Sequence, residues 1–180
     1  MSLPAFKDLK YLLQDHKLTS IMSPTLWEED IDFIEDFLNR SEMKSIKFFN
    51  NDCTAINSSI SSLANDKGGI YFFMLKSPLL PNLVNKILYI GRAQITDSQN
   101  LRKRCRVYFN KYYKSEFDRP HIHTMLNVWQ KHLYLYFIEL DDNDEIKDIE
   151  KKLINNIIPP FNNDIPSTEI SRVKRAISAW

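Results

Sequence analysis

The spacing of apolar residues along this chain changes character at Gly69. Before it the period is helical. In residues 4–17, Phe6, Leu9, Leu12 and Leu13 recur three and four apart with charge opposite, which predicts an amphipathic helix. A second helix is predicted from Ser23-Pro24-Thr25, where Thr25 and Glu28 form a capping-box pair, through Trp27, Ile31, Ile34 and Leu38 toward Arg40. The serine-rich stretch from Asn50 to Lys67 still spaces Ile56, Ile60 and Leu63 as a helix does, and Gly68-Gly69 then stops it. The expectation is a helical N-terminal extension over residues 1–66, followed by a domain over residues 67–180.

From Gly69 the text GIYFFML and KILYIG is dense in β-branched and aromatic residues, which predicts two paired strands joined by a long connection, SPLLPNLVN. Residues 98–113 return to helical spacing, with Leu101, Cys105, Tyr108 and Tyr112 on one face and Lys103, Arg106 and Asn110 on the other. Another helix is expected after Pro120 through Leu126 and Trp129, then a third strand from His132 to Leu140. DNDEIKDIEKKLINNI reads as a helix opened by acids that suit its positive end, and Pro159-Pro160 ends it. A C-terminal helix from Ser167 or Thr168 is expected to pack Ile170, Val173 and Ile177 on one face. The whole reads as an α+β chain.

Charge and composition remove several classes. With 24 Lys+Arg against 23 Asp+Glu in 180 residues, an argument for nucleic acid must rest on where the cations cluster. Cys53 and Cys105 have no CxxC spacing, which argues against a disulfide framework or zinc knuckle and favours a reducing, cytoplasmic compartment. No run of about 18 apolar residues predicts a membrane span.

Against this background a few side chains stand out. On the wheel of the helix around residues 146–157, Ile146, Ile149, Leu153, Ile154 and Ile157 share an arc that also contains Glu150, whereas Lys147, Lys151 and Lys152 lie outside it. A buried carboxylate needs a partner, and the candidates are a metal ion or a core-facing arginine. Arg104 sits at the edge of the apolar face of its helix, placed either for a phosphate or for Glu150. Tyr71 and Tyr89 are either core aromatics of strands or polar groups of a site. Arg92, Arg102, Lys103, Arg106 and Lys111 make a local basic surface suited to phosphate contacts or simply to solvent. His121 and His123 form an HxH pair with no further ligand beside it, a weak metal signal.

Five segments occur in a telling order. Gly69-Ile70-Tyr71 and Tyr89-Ile90-Gly91 stand at matching positions on the two leading strands. Leu101-Arg102-Lys103-Arg104 follows on a helix, then Glu150-Lys151-Lys152-Leu153-Ile154, then Pro160-Phe161-Asn162. Together they resemble the GIY-YIG nuclease family over roughly residues 68–163, about half the chain. The resemblance implies a three-stranded antiparallel sheet flanked by helices and a DNA endonuclease that hydrolyses phosphodiester bonds with Mg²⁺ or Mn²⁺. It assigns the metal to Glu150, water activation to Tyr71 with Tyr89 orienting it, the scissile phosphate to Arg104, and the active-site end of the last helix to Asn162. A free-standing chain of this kind resembles restriction-type or repair-type endonucleases, and the restriction reading carries the expectation of a homodimer. Two departures are visible. The connection between the tripeptides is longer than usual for the family, and Tyr108 stands where many members place a histidine. The competing readings are a catalytically silent nucleic-acid-binding module with the nuclease fold, and a partner-binding role for the acidic helix Glu28 to Asp36.

Overall fold

Alternate side chains of a strand point to opposite faces of its sheet, and in the strand Gly68–Lys76 both faces are covered. Ile70 and Phe72 enter one apolar cluster and Tyr71 and Phe73 the other, all four at most 1 % exposed. Burial on both sides is why this strand reads as an unbroken apolar run. The computed structural model describes residues 18, 20–21, 24–39, 42–78, 85–115 and 118–178. The helix expected over residues 4–17 lies outside the described residues.

Four strands, β1 (Lys44–Lys47), β2 (Gly68–Lys76), β3 (Asn85–Ala93) and β4 (Leu133–Leu140), form one antiparallel sheet in the order β1-β4-β2-β3. Among the described residues five α-helices accompany it: α1 (Pro24–Leu38), α2 (Leu101–Val107), α3 (Pro120–Val128), α4 (Asn143–Ile157) and α5 (Thr168–Ser178). On one face α1 and α4 bring Phe37, Ile146, Ile149, Leu153 and Ile154 onto Ile70, Phe72, Ile90 and Ile138. On the other, α2 and α3 cover Tyr71, Phe73 and Tyr89 with Leu101, Cys105, Ile122, Met125 and Leu126. None of the described helices is long and apolar enough to cross a membrane.

Two expectations are corrected here. The sheet has four strands, not three, because Lys44–Lys47 pairs with β4 along Ser45 and Tyr136. This strand is short, half exposed and charged, with Lys44 bonded to Glu139 at 2.9 Å, the character of a protected sheet edge and the reason it carries no strand signal. Residues 50–67 also do not form the expected α-helix. The side chain of Asn50 accepts the Thr54 and Ala55 amides, Cys53 takes a positive φ of 56°, and Asn57 caps a short 3₁₀ turn at Ser58–Ser62. Asparagine and serine side chains that bond neighbouring backbone compete with helix formation. Ile60 and Leu63 nevertheless reach the core with Phe48 and Phe49, so residues 44–63 belong to the sheet and its packing, not to a helical extension.

Two distortions shape the region beside β3. Phe73 faces Tyr89 while Met74 faces Ile87, so Leu88 is an extra residue on β3. This bulge sends both Leu88 and Tyr89 into the same cluster. Helix α2 passes at Tyr108 into a π-helical stretch, Tyr108–Tyr113, which keeps Leu101, Cys105, Tyr108 and Tyr112 all buried, as expected of that face. In α5 only Ile170 packs against the core. Val173 and Ile177 are 51 % and 43 % exposed, so the apolar face expected for this helix is covered for its first turn alone.

The register places Gly91 opposite Tyr71. A Cβ at position 91 would lie 2.5 Å from the Tyr71 hydroxyl oxygen and 2.6 Å from Cζ, so the glycine makes room for the phenol. Gly91→Ala is expected to cost about 1–3 kcal/mol through overpacking, read as a lowered Tm in thermal melts. Combined with Tyr71→Leu it is expected to cost less than the sum of the two single changes.

Candidate active site

Beyond the sheet edge formed by β3 lies a cleft of about 750 Å³. Tyr89 and Arg92 from β3, Arg104 from α2, Arg119 and His121 from the start of α3, Glu150 from α4 and Asn162 after it all line it. Five of the side chains singled out in the sequence, Tyr89, Arg92, Arg104, Glu150 and Asn162, thus meet in one place although they come from four parts of the chain.

Two asparagine amides hold the backbone on either side of Arg92, one within β3 and one just past its end. Asn162 accepts the Ile90 amide at 2.9 Å and donates to the Ile90 carbonyl at 2.8 Å, as a neighbouring strand would. Asn143 does the same at Ile95, accepting at 2.8 Å and donating at 3.0 Å. The Leu88 carbonyl, on the bulge, accepts from the Phe161 amide at 3.0 Å. The turn after α4 is held in its own right: Ile158 adopts a left-handed conformation, φ 47°, before Pro159-Pro160, and the Lys174 ammonium of α5 donates to the carbonyls of Pro159 and Asn162. Asn162 is therefore a positioning residue, and the equivalent part of Asn143 was not legible from its place in a helix start.

Glu150 is half-buried on the cleft wall and forms an ion pair with Arg92 through Oε2. Burial raises its carboxyl above the ordinary carboxylate range, against the lowering pull of Arg92 and, more weakly, Arg104. The partner that the apolar arc required is thus an arginine of β3. Among the described residues no three His, Cys, Asp or Glu side chains group closely enough to hold a cation. A cation at this wall would take one protein carboxylate, Glu150, and fill its shell with water and substrate oxygens, a donor set that suits Mg²⁺ or Mn²⁺ and not zinc.

Tyr71 lies behind the wall. Its ring is fully buried, its hydroxyl accepts from Arg104 Nε at 3.2 Å, and it shares a 2.8 Å hydrogen bond with the hydroxyl of Tyr108, also fully buried. Arg104 lies 6.0 Å over the Tyr108 ring. Burial pushes both phenols well above their ordinary pKa, and for Tyr71 the neighbouring Tyr89 adds to the rise while Arg104 opposes it. In this geometry Tyr71 and Tyr108 hold the guanidinium of Arg104, and Tyr89 is the tyrosine of β2 and β3 that lines the cleft.

The basic run divides. Arg102 Nε donates to the Leu63 carbonyl at 2.5 Å and ties the segment 48–63 to α2. Lys103 and Arg106 project from the outer face of α2, and Lys111 pairs with Asp118 at 3.1 Å. None of these four lines the cleft, whose cations are Arg92, Arg104 and Arg119. Arg119 carried no signal in the sequence. His121 lines the cleft with its Nδ1 3.0 Å from the Asn163 amide nitrogen, and burial lowers its pKa.

Comparison with protein-family models, with curated proteins and with solved structures finds no match to this chain.

The raised carboxyl of Glu150 sets a sign for stability against pH. A group whose folded pKa exceeds its unfolded value, about 4.3 for glutamate, favours the folded state below that value and loses this contribution as the pH rises through the folded pKa. Relative to Glu150→Gln, the wild type is expected to lose stability as the pH rises above about 4. Denaturant melts of both proteins across this range, without divalent metal, check it. A difference that stays constant with pH contradicts the shift.

Proposed function

We propose that the chain is a divalent-metal-dependent endonuclease of the GIY-YIG kind, acting on DNA through the cleft beside β3. The observation that carries this reading is the convergence of Glu150, Arg104 and Tyr89 on one polar wall. The two tripeptides fall on the paired strands β2 and β3, with Tyr71 seated opposite Gly91, and this supports the same reading. The chemistry is hydrolysis: a water oxygen attacks phosphorus, the bond to the leaving sugar oxygen breaks, and the water's protons pass to solvent and to that oxygen.

Arg104, held by Tyr71 and Tyr108, faces the cleft with its remaining donors and offsets the charge that grows on the phosphoryl oxygens. Tyr89 orients the attacking water by hydrogen bonding, and its hydroxyl need not ionise to do so. Glu150 would hold Mg²⁺ or Mn²⁺, which supplies Lewis-acid stabilisation of the departing oxygen when bound. Arg119 and Arg92 add cationic donors for the phosphates on either side. A restriction-type enzyme would act as a homodimer, since one such site cuts one strand; a repair-type enzyme would read the structure of the DNA.

Cleavage of supercoiled plasmid with Mg²⁺ is expected for the wild type, and Glu150→Ala and Arg104→Ala are each expected to lower it by about 10²-fold or more. Full activity in the Glu150 variant would remove the metal assignment. Tyr71→Phe retains the ring but not the oxygen that Arg104 bonds, and is expected to lower kcat with its pH profile unchanged. A profile that loses its ascending limb in Tyr71→Phe would return the water-activating role to Tyr71. The deep burial of the Tyr71 and Tyr108 hydroxyls also favours a second reading, a nuclease fold that binds nucleic acid without cutting it. It predicts salt-dependent DNA binding with no cleavage in any divalent metal.

A further inference from the structure

The ion pair between Arg92 and Glu150 sets two requirements of the proposed site against each other. Glu150 is the one carboxylate assigned to the cation, yet its Oε2 is already bonded to a guanidinium. Arg92 is one of the three arginines of the cleft, yet its charge is spent on that carboxylate and not on a phosphate. Neither side chain is locked away: the Arg92 side chain is 35 % exposed and Glu150 15 %. Arg92 also follows Gly91 on a stretch of backbone pinned at Ile90 in β3 and at Ile95 just after it, so the guanidinium moves on a fixed base.

We infer that Arg92 is a place-holder for the metal: it neutralises Glu150 while the cleft is empty and exchanges onto a substrate phosphate when a divalent cation takes the carboxylate. The inference rests on the proposed nuclease reading and extends it to how the site loads. The guanidinium holds Oε2, and a cation bound to the same carboxylate would be repelled by it in a medium of reduced dielectric, so the cation and the guanidinium compete for Glu150. Once displaced, a partly buried guanidinium needs an anion, and phosphate is the anion whose geometry it matches. Linkage makes the effect reciprocal: a phosphate that draws Arg92 away raises the affinity of Glu150 for the cation, and the cation raises the affinity of Arg92 for phosphate. Arg104 has no such conflict, because it bonds the neutral hydroxyl of Tyr71 and lies over the ring of Tyr108.

The test is binding of Mn²⁺ alone, without DNA, measured by calorimetry or by the paramagnetic resonance of the free ion at pH 8. The proteins are the full chain, Arg92→Gln, Arg92→Lys and Glu150→Gln. Removing a charge-assisted bond that competes with the ion is expected to tighten Mn²⁺ binding in Arg92→Gln by roughly tenfold. Arg92→Lys, a shorter cation, is expected to fall between it and the wild type, and Glu150→Gln to bind no ion in the cleft. If Arg92→Gln does not give a cooperative thermal melt, the comparison is read from Arg92→Lys. Equal or weaker binding in the Arg92 variants, with loss in Glu150→Gln, overturns the place-holder and leaves the metal assignment standing. Absence of any Glu150-dependent Mn²⁺ binding in all four proteins overturns both.

Discussion

The phenol of Tyr71 occupies the space that Gly91 leaves by having no side chain, and much of the molecule is arranged around that contact. It fixes which residues of β2 and β3 face one another, since any larger residue at 91 would collide with the ring. It also points the hydroxyl of Tyr71 at Arg104 and Tyr108, so strand register sets the position of a cationic group on a helix. Gly69, in the same strand as Tyr71, is equally constrained: its φ is 148° and a Cβ there would lie 2.0 Å from the Ile138 carbonyl oxygen. The chain has only three glycines, and all three stand where the sheet leaves no room for a Cβ.

The second organising influence is electrostatic. The cleft wall is neither core nor surface, and a charge placed there is poorly hydrated but not sealed off. That intermediate setting explains why Glu150 can tolerate its position with one arginine at hand, and why burial still raises its carboxyl. By contrast the exposed pair of Lys111 and Asp118 sits in high dielectric, where such contacts contribute little. The cations that line the cleft are therefore Arg92, Arg104 and Arg119 and not the longer run along α2.

Parts of this arrangement are legible in the sequence because their signals are local. Glu150 among isoleucines reveals itself by helical spacing, and strands β2, β3 and β4 by dense apolar runs bounded by turn residues. The strand Lys44–Lys47 is hidden because an edge strand protects itself with charge. The segment 48–63 misleads because Ile56, Ile60 and Leu63 keep a helical spacing while asparagine and serine side chains turn the backbone away from the helix. The partner of Glu150 is legible as a class, a cation, but its identity depends on a contact 58 residues away. Tyr71 and Tyr89 look equivalent in the text, each an aromatic in a strand. Only the bulge at Leu88 and the packing of α2 make one of them wall and the other support.

The asparagine that completes β3 has a consequence for a chain emerging from the ribosome. Asn162 lies 72 residues after Ile90, and the carboxylate of the cleft and the lysine that clamps the turn before Asn162 are also late in the sequence. Synthesis delivers the arginines and tyrosines of β3 and α2 first, with the outer edge of that strand bare and Glu150 not yet made. Contacts this distant in sequence form after local ones. The cleft is thereby completed only when its last helices arrive.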